Sequence, residues 1–311
     1  MKTAIGIDLG GTYIKYGLVD EAGNIVKKGV LPTKAEKGSR DVVIEQISLA
    51  IRDVWDDSVE GIGIGTPGVV DNNGAVYESP NLPDWHNFNV KEIFEKKFNK
   101  KVVVENDANS IAWGEYLFGA GKGTRTIVCL TLGTGLGGGV VINGKLLRGA
   151  IYSAAELGHM PVDYKGRKCG CGSRGCIEAY IGRDYIVRSA IRKIKSGRKT
   201  ILTQMVNNLS DITPKLISEA YLKKDELARE VWIEMATALG AFLAGMVNML
   251  NPDRIILAGG IAQAGDILFE TVRKTIKERS MKVLSATVQV VPAGLGTDAG
   301  IISGAALVFQ K

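Results

Sequence analysis

One short pattern occurs twice in this chain and limits the fold more than any other feature. Ile5-Gly6-Ile7-Asp8-Leu9-Gly10-Gly11-Thr12 is an apolar strand running into a glycine turn, and so is Val128-Cys129-Leu130-Thr131-Leu132-Gly133-Thr134-Gly135. A second strand follows each turn. Asp8 aligns with Thr131 and Gly10 with Gly133. The copies lie about 120 residues apart, a self-similarity that points to a duplicated α/β domain rather than one dinucleotide-binding sheet. The plainer alternative is that any α/β protein offers two glycine turns.

The rest of the pattern fits a doubled unit. Residues 3–31 read as an antiparallel meander with a turn at Glu21-Ala22-Gly23-Asn24. Val43, Ile47, Ala50, Ile51 and Val54 recur at helical spacing, with Ser39 as a candidate N-cap. Val59–Gly65 and Val102–Val104 read as strands, each leading toward a helix. After the second copy come Val140–Ile142, a hairpin turn at Asn143-Gly144, and a helix from Asp184 to Lys195. A long helix over Asp225–Leu250, a strand at Arg254–Leu257, a helix from Asp266, a strand at Thr287–Val291 and a helix from Asp298 complete the chain. With 311 residues, two domains are expected. The boundary falls at Gly119-Ala120-Gly121-Lys122-Gly123, giving lobes 1–118 and 119–296, with the final helix, 297–311, returning to the first.

Composition excludes several classes. Hydrophobic residues make up 45% and charged residues 23%, which rules out general disorder. The net charge of +6 favours an anionic ligand slightly, but the basic residues are dispersed and argue against nucleic acid. The apolar run Ala238–Leu250 is broken by Asn248 and is too short to cross a membrane. The first residues read as a strand rather than a signal peptide. A soluble, cytoplasmic protein is the expectation.

Five motifs could carry chemistry. Gly133-x-Gly135-x-x-Gly138 matches a dinucleotide fingerprint, but β-branched Val140-Val141-Ile142 follows where a helix should open. Gly121-Lys122 lacks the spacing and hydroxyl of a P-loop. The two glycine hairpins remain either tight turns or backbone nests for phosphate oxygens. Asp8, at a strand end, either binds Mg²⁺ on a nucleotide or accepts turn N–H bonds from Gly11 and Thr12. Glu105-Asn106-Asp107-Ala108-Asn109 follows a buried strand, where α/β folds place ligands, although Asn106 or Asp107 could simply cap a helix. Cys169-Gly170-Cys171-Gly172-Ser173-Arg174-Gly175-Cys176, with His159 ten residues earlier, offers a closed Cys₃His zinc site; free or oxidised thiols are the alternative. Cys129 reads as a core residue. Gly259-Gly260 after an apolar strand admits either a flat ligand or tight packing.

Taken in order, these elements resemble the ROK family of sugar kinases and repressors, along essentially the whole chain. The most specific parts are Glu156-x-Gly158-His159, then Cys169-x-Cys171-Gly172-x-x-Gly175-Cys176-x-Glu178, with Asp8-x-Gly10-Gly11-Thr12 upstream. The resemblance implies a two-lobed, actin-like (ribonuclease-H-like) α/β fold with an interdomain cleft and a small zinc knuckle. It implies an ATP-dependent hexokinase, with glucose the leading substrate and fructose, mannose, allose or an N-acetylhexosamine as alternatives. Asp107 corresponds to the catalytic base. Gly65, Asn81, Asn106, Glu156, His159 and Glu178 correspond to sugar contacts. Asp8, Gly10, Gly11 and Thr12 resemble one phosphate loop, with Asp8 near Mg²⁺. Thr131, Gly133, Thr134 and Gly135 resemble the other, and Gly259 and Gly260 the adenosine contact. His159, Cys169, Cys171 and Cys176 would hold structural zinc. Family members are commonly homodimers or homotetramers. A repressor would need a DNA-reading module before Asp8, where only seven residues stand. A non-kinase actin-like ATPase would not need Glu156, His159 and Glu178.

Overall fold

The computed structural model describes residues 2–35, 39–79, 82 and 84–309. By compactness the chain divides into two units. The first holds Met1–Cys129, Gly139–Ala155 and Ala293–Lys311; the second holds Leu130–Gly138 and Glu156–Pro292.

The first unit begins with the expected meander, β1 (Thr3–Leu9), β2 (Tyr13–Asp20) and β3 (Ile25–Pro32). Helix α1 (Arg40–Asp53) leads to β4 (Val59–Thr66). Ser39 stands at the N-cap of α1, but its side chain makes no capping bond. A small antiparallel sheet that the sequence reading missed follows, β5 (Val69–Val70), β6 (Ala75–Glu78) and β7 (Phe88–Asn89). Its strands are too short to show a period. Helix α2 (Val90–Phe98) is capped by the Asn89 side chain and precedes β8 (Lys101–Asn106) and α3 (Asp107–Leu117). The main sheet runs β3-β2-β1-β4-β8, with β1, β4 and β8 parallel.

Alternation along β1 decides what covers each face. Ile5, Ile7 and Leu9 join Ile62 and Ile64 of β4 in a core with Val43, Ile47 and Ile51 of α1 and Phe94 of α2. The opposite face carries Gly6 and Gly63. A Cβ at Gly6 would lie 1.9 Å from the Ile301 carbonyl oxygen, and one at Gly63 1.8 Å from that of Gly304. These carbonyls belong to the C-terminal helix (Ala299–Val308), whose backbone therefore lies flush on the sheet.

The later elements are β9 (Ile127–Leu132), β10 (Leu136–Ile142), β11 (Lys145–Leu146), α4 (Glu178–Ile181), α5 (Arg183–Lys195), α6 (Leu202–Met205) and α7 (Pro214–Leu222). Then come α8 (Glu226–Leu250), β12 (Arg254–Ala258), α9 (Asp266–Arg279), α10 (Lys282–Ser285), β13 (Gln289–Pro292) and α11 (Ala299–Val308). The second sheet runs β11-β10-β9-β12-β13, the same third-second-first-fourth-fifth order as the first. The doubled sequence pattern is thus a doubled topology. Strand β10 starts four residues earlier than expected, because its glycines serve packing rather than a turn. A Cβ at Gly138 would press on Leu157, and one at Gly139 on Ala112. Helix α8 is 25 residues long and, by length and composition, apolar enough to span a bilayer. It is longer than the apolar run read from Ala238. Leu227, Val231, Trp232, Met235, Leu239, Leu243 and Val247 are buried along it, and a Cβ at Gly240 would touch Thr275 of α9. This is the packing of a core helix.

Candidate active site

In the first unit, strand register lines up the candidate groups. Asp8 of β1 stands beside Gly65 of β4, Gly65 beside Glu105 of β8, and Thr66 beside Asn106. All lie at the carboxyl ends of three adjacent parallel strands, where open α/β sheets bind ligands. The Asp8 carboxyl is half-buried and rests on Gly300 in the first turn of α11; a Cβ there would be 2.2 Å from Oδ2. Burial raises the Asp8 pKa, and Lys15, directly across the β1–β2 ladder, opposes the rise. The Gly10–Thr12 hairpin is closed by Gly10 N–H donating to the Tyr13 carbonyl, 3.0 Å. Thr33 braces it, its hydroxyl donating to the Gly10 carbonyl at 2.6 Å.

Asn106 caps α3: its Oδ1 accepts from the N–H groups of Ala108 and Asn109 at 2.9 and 3.1 Å. Its Nδ2 donates to the Gly68 carbonyl, 3.1 Å. The capping role weighed for this motif is therefore present. Asp107, the first residue of α3, is exposed, and its Oδ1 accepts from the Ala108 N–H at 2.7 Å. Asn81 lies outside the described residues. Glu105, for which the sequence motifs imply no role, is buried and salt-bridged to Arg148 at 2.8 Å. A carboxylate at the inward end of an apolar strand was the available signal.

In the second unit, the Thr131–Gly135 hairpin, Gly259 and Glu178 come together. Gly133 N–H donates to the Gly135 carbonyl, 3.0 Å, and accepts in turn through its own carbonyl from Arg183 N–H, 3.1 Å. Gly259 has φ +89°, and a Cβ there would lie 2.3 Å from the Leu132 carbonyl oxygen, so only glycine fits. Gly260 is open to solvent. Glu178, the first residue of α4, accepts from Leu136 N–H at 3.0 Å and rests on Gly135.

The Glu156-Leu157-Gly158-His159 turn docks on β10. A Cβ at Gly158 would lie 2.2 Å from the Leu136 carbonyl oxygen. Gly158 therefore lets the turn approach the strand backbone, leaving Glu156 and His159 exposed on either side. Beyond it, Gly172 and Gly175 have φ +91° and +74° and fold the cysteine segment back on itself. The donor atoms of His159, Cys169, Cys171 and Cys176 all lie within 4.8 Å of one another. The His159 Nδ1 to Cys169 Sγ and Cys171 Sγ to Cys176 Sγ distances are both 3.8 Å. A tetrahedral ion with M–S bonds of about 2.3 Å needs sulfurs about 3.8 Å apart, so the donor set fits a small soft-ligand cation. All four cysteines are free thiols. Burial pushes the Cys169 thiol up to about 12, whereas a backbone N–H at Ser173 holds Cys171 below its usual value. Burial also raises the Cys129 thiol, in keeping with a core position.

The comparisons agree with this architecture. The ROK family profile matches residues 4–311. A glucokinase of Thermotoga maritima is 40% identical over 309 residues, covering 99% of this chain and 97% of that protein. A xylose repressor of Bacillus spizizenii is 30% identical and covers 99% of this chain and 77% of that protein. The crystal structure of a ROK family glucokinase from Streptomyces griseus, in complex with glucose and AMPPNP, superposes with a TM-score of 0.83 at 36% identity. That superposition covers 99% of this chain and all of the other. With two sheets of one topology, the cysteine–histidine cluster and a match from end to end, the chain belongs to the ROK family.

Proposed function

We propose that this protein is an ATP-dependent hexokinase that converts glucose to glucose 6-phosphate. The observation that carries the reading is the full-length likeness to glucokinases, at 40% identity for the Thermotoga maritima enzyme. The row of Asp8, Gly65 and Glu105 at the strand ends, leading into Asn106 and Asp107, supports it from this chain's own geometry.

Phosphoryl transfer depends on in-line positioning and charge stabilisation more than on covalent help. Asp107, exposed at the start of α3, accepts the proton of the sugar 6-hydroxyl as that oxygen attacks the γ-phosphorus; the bond from this phosphorus to the β,γ-bridging oxygen breaks and ADP leaves with that electron pair. Gly65, Asn81, Asn106, Glu156, His159 and Glu178 hold the other hydroxyls and fix which one faces the nucleotide. The N–H groups of Gly10, Gly11 and Thr12, and those of Thr131, Gly133, Thr134 and Gly135, hold phosphate oxygens. Gly259 and Gly260 leave room for adenosine. The unit of Met1–Cys129, Gly139–Ala155 and Ala293–Lys311 carries the base, and the unit of Leu130–Gly138 and Glu156–Pro292 carries the cysteine–histidine cluster.

Asp8 fits Mg²⁺, because a half-buried carboxyl whose burial opposes ionisation gains most from a cation. Mg²⁺ bound there supplies charge neutralisation on the phosphates. His159, Cys169, Cys171 and Cys176 fit zinc and would hold it through protein donors alone, where it would orient the His159 ring. We place the enzyme in the cytoplasm as a homodimer or homotetramer.

The test is a coupled ADP-release assay with MgATP over glucose, fructose, mannose, allose, N-acetylglucosamine and N-acetylmannosamine. The expected result is the highest kcat/KM for glucose. No sugar-dependent ADP release would overturn the reading, and a different best sugar would move it to another member of the panel.

A further inference from the structure

We propose that Glu105 and Arg148 act as a positioning pair that holds Asp107 in place for the transfer step. This rests on the reading of Asp107 as the base.

Glu105 is the next-to-last residue of β8 and is 3% exposed. Its two oxygens have separate tasks. Oε1 accepts from the Asn106 N–H at 3.1 Å and from the Asn109 Nδ2 at 3.3 Å. These donors lie one residue before Asp107 and two after it, so one carboxylate oxygen brackets Asp107 on both sides. Oε2 accepts from Arg148 Nε at 2.8 Å, and the two side chains are 4% and 22% exposed. Arg148 is itself held. Its guanidinium lies 5.9 Å from the centre of the Tyr152 ring, and its carbonyl accepts from Ala154 N–H at 3.0 Å, closing the segment 148–154.

A buried carboxylate needs a hydrogen-bonded counter-charge to stay ionised. Paired with Arg148, the Glu105 carboxylate makes charge-assisted bonds to Asn106 and Asn109, about twice as strong as neutral ones. The strand-to-helix turn under Asp107 is then stiff. Removing Arg148 alone leaves a lone buried charge beside that turn. The Asn106 amide has its own anchors, the α3 N–H groups and the Gly68 carbonyl. Loss of the pair therefore acts on the placement of the base more than on sugar binding.

The experiment measures kcat, glucose KM and thermal midpoint for Arg148→Met, Arg148→Lys, Glu105→Gln and the double variant Glu105→Gln/Arg148→Met. We expect Arg148→Met to lower kcat at least about tenfold with KM changed less than about threefold. Arg148→Lys keeps the charge and should stay within about threefold of wild type. The double variant should recover activity relative to Arg148→Met, because it leaves no unpaired charge. Wild-type kcat in Arg148→Met, or a double variant that loses the product of the two single losses, would overturn the pairing. So would a kcat loss in Arg148→Met that vanishes on cooling below its thermal midpoint, because the role is then structural only. If Arg148→Met does not fold, Glu105→Gln decides: the same shape without the charge should lower kcat about threefold to tenfold, and an unchanged kcat refutes the pair. Asp107→Asn is run alongside. If it keeps turnover, the base assignment fails; if it loses turnover while Arg148→Met does not, the pair fails and the base stands.

Discussion

Gly158→Ala tests the link between packing and sugar recognition most sharply. The added Cβ would sit 2.2 Å from the Leu136 carbonyl oxygen, whereas ordinary contact begins near 3.4 Å, so the turn or β10 must give by about 1.2 Å. Both sides of the clash are backbone, and no side chain can rotate away. Overpacking of this kind costs about 1–3 kcal/mol. Glu156 and His159 flank Gly158, and a shift of about 1 Å in a positioning group costs about 100-fold in rate. A 100-fold loss corresponds to about 2.7 kcal/mol of transition-state stabilisation. The expected result is therefore a kcat/KM for glucose about 100-fold below wild type, with a lower thermal midpoint. Gly245→Ala on α8 is the control, since its Cβ would meet nothing within 4 Å; it should leave activity unchanged and raise the midpoint slightly. Coupled ADP release and calorimetry on the three proteins decide the matter. An unchanged midpoint in Gly158→Ala refutes the steric argument. A lowered midpoint with unchanged kcat/KM refutes the assignment of Glu156 and His159 to the sugar.

Asp107→Asn should lower kcat by about 10²–10⁴ while glucose binding, followed by titration calorimetry, stays within about threefold; turnover near wild type sinks the base assignment. Asp8→Asn should raise the thermal midpoint at pH 7 without nucleotide and raise the KM for MgATP. The sign follows from burial: the folded-state pKa of Asp8 lies above its unfolded value, so ionising it opposes folding at every pH above that raised value. A lower midpoint in Asp8→Asn would reverse this account. Metal analysis should find one zinc per chain, and Cys176→Ser should lose it together with glucose affinity, read as a raised KM; a metal-free wild type with full activity rules the zinc out.

Much of the fold was legible because local periodicity and turn chemistry act over a few residues. Alternation in Thr3–Leu9 and the turns at Gly23 and Asn143-Gly144 mark the meanders, and helical spacing marks α1 and α9. The glycines of β10 misled for a physical reason. A glycine that makes a turn and a glycine that admits Leu157 or Ala112 are the same letter, and only the neighbour tells them apart. The short strands β5–β7 and helix α7 carried too little period to be read.

For the candidate site, the chain alone determined which chemistry is available: a carboxylate one residue from the end of each of β1 and β8, glycine hairpins, three thiols and an imidazole within one stretch. Tertiary structure alone decided what those groups meet. Strand register set Asp8, Gly65 and Glu105 side by side from three distant segments. Packing of the loops joined Glu105 to Arg148, 43 residues away, and brought four donor atoms within 4.8 Å. Sequence specifies side chains and short-range backbone preference; the distance between remote side chains exists only once sheets pair and cores pack.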